Sequence, residues 1–114
     1  MARNLELPLT PAVFFTLFAL AGGEKHGYAI MQETRELSDK SFEMGPATLY
    51  TTLQRLLELE LVDEVPGAGG ADSRRRNYRL TRSGRSLLER ELARVEALVR
   101  KAKGLRLRPA GVKP

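Results

Sequence analysis

Few folds accommodate residues 45–62, GPATLYTTLQRLLELELV. At about 100° per residue, Leu49, Leu53, Leu56 and Leu57 fall on one side of a helix. Thr48, Thr51, Thr52 and Arg55 fall on a second stripe, centred roughly 120° away. Pro46 suits the first helical turn, where its missing N–H costs nothing. Threonine is a poor helix former, so three of them on one outward stripe add nothing through propensity. They suit contacts to base edges, thymine methyls or phosphates, and Arg55 suits guanine or phosphate. An ordinary solvated face is the alternative. A basic segment later in the chain favours nucleic acid: Arg74, Arg75 and Arg76 stand beside the glycines of residues 67–70. Adjacent guanidinium groups on the returning edge of a loop suit phosphates or a minor groove.

The rest of the chain supplies a frame for that helix. Thr10-Pro11 marks a helix start and Gly22-Gly23 a stop. Residues 12–20 between them are apolar on nearly every side except Thr16, so the helix must be covered all round. In a chain of 114 residues that predicts a second subunit as part of the cover. A second helix is expected from His26 or Gly27 to Leu37, with Tyr28, Ile30, Met31 and Leu37 facing inward. A polar connector comes next, anchored by Phe42 and Met44. Two helices, a turn and a contact helix make a helix-turn-helix. Residues 61–65 and 77–81 read as two strands of a hairpin with a long glycine-rich loop.

Thr81 is placed to cap a final helix reaching about Lys103. In it Leu88, Leu92, Val95, Val99 and Ala102 repeat at four and three residues, the seam of a coiled coil about two heptads long. Packing on the chain's own core is the competing explanation. The seam, with Phe14 and Phe18 of the first helix, predicts a homodimer. The expected organisation is mainly α with a small β-hairpin, a winged helix-turn-helix in the order α-α-α-β-β-α. The DNA-binding unit would span residues 1–81, the dimerisation helix 82–104 and a disordered basic tail 105–114. With no separate effector domain expected, any small-molecule effector would bind between subunits, around Phe14, Phe18, Leu92 and Val95.

Catalysis finds little support. The chain has no cysteine and one histidine, His26, which suits a helix start better than a metal site. Asp63 and Glu64 are neighbours on a strand and would point to opposite faces. The glycines near residue 70 lack the helix that a phosphate-cradling loop requires. No cofactor and no metal are expected. The net charge of +5 favours an anionic partner. Residues 11–21 are too few to span a bilayer and lack the marks of a secretory signal, so a cytoplasmic location is expected. Two other functions compete: a protein-interaction module whose wing grips an acidic partner, and a small basic RNA-binding protein. The second needs exposed aromatics for base stacking, and three tyrosines and four phenylalanines mostly on apolar faces offer few.

HGYAIMQE at 26–33, PATLYTTLQRL at 46–56 and RRRNYRLTRSGR at 74–85 together resemble the PadR-like transcriptional regulators, a winged-helix family. Thr48-Leu49-Tyr50 and Tyr78-Arg79-Leu80-Thr81 with Gly84 are the most specific parts. The size is similar to the family's short subgroup. The resemblance implies a twofold dimer through the last helix that binds a promoter palindrome in double-stranded DNA, most often as a repressor. It places Thr48, Tyr50, Arg74, Arg75 and Arg76 in the DNA-contacting region. Tyr50 lies off the threonine stripe, and bracing phosphate or packing within the protein both suit it. Three positions depart from the family pattern. Gly45 replaces a serine cap, Thr51 a proline, and Glu60 a glycine that ends the recognition helix. If the backbone at Glu60 is left-handed, roughly 1 kcal/mol of strain is expected there.

Overall fold

A computed structural model describes residues 5–66 and 76–106. Helix α1 (Pro11–Ala21) is the centre of the molecule. Thr10 caps it, accepting a hydrogen bond from the Val13 N–H, and Pro11 fills its first turn. Val13, Thr16, Leu17, Ala19 and Leu20 are buried. The cover is largely the chain's own, because α2 (Gly27–Leu37), α3 (Pro46–Glu58), α4 (Arg82–Gly104) and strand β3 (Arg76–Leu80) all pack on α1. A second subunit is not needed to explain the apolar composition of α1. Of its large side chains only Phe14, Phe15 and Phe18 remain half-buried.

Residues 5–9 are tied to the core. Leu5, Leu7 and Leu9 pack against the core, and the Leu9 N–H donates to the Glu91 carboxylate at 2.8 Å. On α2, Ile30 is fully buried, but Tyr28, expected to face inward, is 62% exposed. Two residues apart on a helix is about 200° of rotation, so the two cannot share a face. Helices α2 and α3 both end in left-handed turns made by residues other than glycine. Asp39 and Lys40 have φ of 53° and 64°, and the Lys40 N–H returns to the Arg35 carbonyl. Glu60 has φ of 59°, and the Leu61 N–H returns to the Leu56 carbonyl. That is the hydrogen-bond pattern of a Schellman motif, closed by contact between apolar residues that are fully buried here, Leu56 and Leu61. In the connector the Ser38 hydroxyl accepts from the Phe42 N–H, Phe42 stacks on Phe15 with ring centres 5.6 Å apart, and Met44 is buried.

Among the described residues three strands form the sheet, one more than the hairpin expected. A short β1 (Lys25–His26) pairs antiparallel with β3, which pairs on its other edge with β2 (Val62–Pro66). The register sets Lys25 opposite Tyr78, Glu64 opposite Tyr78, and Asp63 opposite Arg79. The glycine-rich loop, Arg74 and Arg75, and residues 107–114 of the tail lie outside the described residues. Helix α4 starts on the Thr81 hydroxyl, which accepts from the Gly84 N–H and donates to the Glu60 carbonyl. Only the first half of α4, through Glu91, is buried; the second half runs clear of the core. Its 23 residues, about 35 Å of helix, give the molecule a long axis of 59 Å.

Candidate nucleic-acid interface

Helix α3 turns its leucines inward and most of its polar residues outward. Leu49, Leu53 and Leu56 are fully buried and Leu57 is half-buried. Thr48, Tyr50, Thr51 and Arg55 are exposed, but Thr52 is 8% exposed and belongs to the core. The reason is angular. Thr52 lies about 40° from Leu56 around the helix, so it falls on the edge of the apolar stripe and not on the outer face. Directly opposite the core are Thr51 and Gln54. Gln54 is a residue that the threonine pattern passes over; it is exposed and could pair with an adenine edge. It was marked only by lying three residues beyond Thr51 and four beyond Tyr50. Gly45 starts α3 with no side-chain cap, which leaves the first turn open toward solvent.

Arg55 sits about 10 Å further along, in the last turn. There it lines a groove with Glu6, Pro8 and Thr10 of the N-terminal segment as well as the outer face of α3. Thr48 and Thr51 thus occupy the leading end of α3, and Arg55 the trailing end beside the N-terminal segment.

The wing is tied to the helices through β1. Its ladder and the bond from the Asn77 amide to Glu24 (2.9 Å) join the residues before α2 to β3. His26 caps α2, its Nδ1 accepting from the Ala29 N–H at 3.3 Å, so the one histidine is a helix-start residue as its position suggested. A two-residue strand has too short a pattern to be visible in sequence. Arg76 and Arg79 are exposed and lie 3.9 Å from Glu64 and 3.7 Å from Asp63. Such solvated pairs contribute at most about 1 kcal/mol, so either guanidinium can exchange its carboxylate for a phosphate. Asp63 and Glu64 hold different arginines and do not act together. Burial of Tyr78, reinforced by the Glu64 carboxylate opposite it, raises its hydroxyl pKa and keeps it a neutral core group.

The residues assigned to a subunit contact divide. Leu88 is 3% exposed and packs into its own protomer, because α4 is still against the core at that turn. Beyond it Leu92, Val95, Leu98 and Val99 are between 37% and 50% exposed among the described residues, an apolar stripe along the outer turns of α4. Phe14 and Phe18 are half-buried and pack on each other, with ring centres 5.6 Å apart. A groove of about 190 Å³ brings Phe14 and Val95 together with Leu9, Phe15 and Arg94. Phe18 and Leu92, the other two residues assigned to an effector, do not line it. Among the described residues no group of three His, Cys, Asp or Glu side chains is placed to hold a metal ion, and no helix is long and apolar enough to cross a membrane.

The model of the transcriptional regulator PadR-like family matches residues 17–90. An uncharacterized 37.1 kDa protein in transposon TN4556 of Streptomyces fradiae is 41% identical over 80 residues, 70% of this chain. The chain spans only 21% of that protein's length. Uncharacterized protein X of Lysinibacillus sphaericus is 32% identical over 79 residues, 67% of this chain and 72% of that protein. A solved PadR family transcription regulator from Clostridium difficile R20291 superposes with a TM-score of 0.72 over 86% of this chain and 100% of its own. At 20% identity that likeness speaks for the fold alone.

Proposed function

The chain belongs to the PadR-like family of transcriptional regulators, which makes it a DNA-binding regulator, and from that premise we propose that it acts as a homodimeric repressor on a palindromic operator. The observation that carries the proposal is the apolar face of α4 from Leu92 to Val99, 37% to 50% exposed among the described residues, in a molecule whose α3 turns Thr48, Tyr50 and Thr51 to solvent. A second copy packed on that face would cover it and carry a second α3. Two recognition helices entering successive major grooves would stand about 34 Å apart. On this reading Thr48, Thr51 and Gln54 face the bases, while Tyr50 and the wing arginines hold the sugar-phosphate backbone. Thr52 has no part in the contact. Arg55, at the trailing end of α3, is assigned to phosphate. An effector would enter the groove at Phe14 and Val95. The function is binding without catalysis, in the cytoplasm.

A gel shift with the DNA upstream of the gene, with and without excess unrelated duplex, tests the reading. A retarded complex that survives the competitor supports it. A complex that disappears with competitor counts against sequence-specific regulation, and no complex at low salt counts against DNA as the partner.

A further inference from the structure

The first residue of α2 is Gly27, and it is buried. A methyl group built at its Cα would lie 2.5 Å from the Tyr50 hydroxyl oxygen, 3.0 Å from Tyr50 Cζ and 3.2 Å from Leu49 Cδ2. The tip of a tyrosine ring from α3 therefore rests on bare backbone at the start of α2. The contact leaves Tyr50 half open to solvent, at 51% exposure. The glycine is not needed for its own backbone, which is helical there, and alanine is the better helix former. What the missing side chain provides is space for Tyr50.

The seat is itself fixed. His26, one residue earlier, pairs with Asn77 of the wing strand and caps α2 through Ala29. Tyr50 is thus held where α2, α3 and the wing meet, beside the leading end of α3. A tyrosine on an exposed helix face has several rotamers, and ordering them on binding costs free energy. A ring already seated is spared that cost.

We infer that Gly27 is a positioning residue for DNA binding: it seats Tyr50 so that the hydroxyl donates to a backbone phosphate. The inference rests on the DNA-binding reading, and the test separates the two. Wild type, Gly27→Ala, Tyr50→Phe and the double variant would be titrated by fluorescence anisotropy against a random-sequence duplex at about 50 mM salt and against the upstream duplex. Each single variant is expected to lose about a hundredfold in affinity on both duplexes, about tenfold for one hydrogen bond to a charged group in each of two protomers. The double variant should bind no more weakly than Tyr50→Phe, because Gly27 acts only through that hydroxyl. Gly27→Ala binding like wild type, or losses that multiply in the double variant, would overturn the inference while leaving DNA binding intact. Wild type failing on both duplexes would remove the DNA-binding reading and this inference with it. Should Gly27→Ala melt before it can be titrated, adding Tyr50→Ala removes the obstructing ring and is expected to restore the fold. A double variant that stays unfolded would show that Gly27 serves some other contact.

Discussion

Close approach and backbone handedness decide the two most sensitive single positions. A methyl group at Gly84 would lie 2.0 Å from the Leu61 carbonyl oxygen, and that obstacle is backbone and cannot swing aside. Gly84→Ala should therefore cost about 3 kcal/mol, the upper end for overpacking, measured as a shift in urea midpoint. Glu60 is the opposite case, a side chain tolerated at a left-handed φ of 59°. Glu60→Gly removes strain of about 1–2 kcal/mol and restores some unfolded-state freedom, so a net gain of about 0.5–1 kcal/mol is expected in the same measurement. This strain was readable in advance, because a glutamate stands where the family pattern has glycine. The burial of Thr52 was not. An i, i+4 relation to Thr48 places it on the polar stripe, and only the packed position of Leu56 shows which edge of that stripe turns inward.

The elements are held together at a few joints, and these respond to pH. Glu91 on α4 is buried, bonded by the Arg94 guanidinium and by the Leu9 N–H. The bond from Arg94 lowers its pKa below the ordinary 4.5, with burial opposing and the Leu9 N–H adding to the effect. A depressed folded-state value means that the stabilisation is fully present above pH 4.5 and is lost as pH falls through the lowered value. Glu91→Gln should therefore melt with a flatter dependence on pH below 4.5 than wild type, and parallel profiles would remove Glu91 from the account. Helix periodicity located α1, α2, α3 and α4 from their caps and apolar spacing, because those signals are local. The clamp of Leu9 on Glu91 and the pairing of Lys25 with Tyr78 join residues distant in the chain, and no local pattern carries them. For the same reason the seam of α4 looked uniform in sequence, although its Leu88 end belongs to the core and only the later turns are free.

Taken as a whole, the molecule is a small core with a long arm, and on the proposed reading its DNA-binding surface is half of a pair. Substituting serine for both Leu92 and Val99 should leave the melting temperature of the protomer fold nearly unchanged, since both side chains are exposed, and should abolish self-association in sedimentation. Arg76→Ala should reduce the slope of log affinity against log salt by about 2, the loss of one phosphate contact from each of two protomers, with little change in sequence preference. Both outcomes bear on the same central claim, that two copies joined through α4 present two α3 helices to one duplex. Mass measurement of the complex with a single upstream site, at protein concentrations near half-saturation, tests it most directly. Two protomers per duplex, with no one-protomer complex populated, is the expected result; a stable complex of one protomer on one duplex would contradict it.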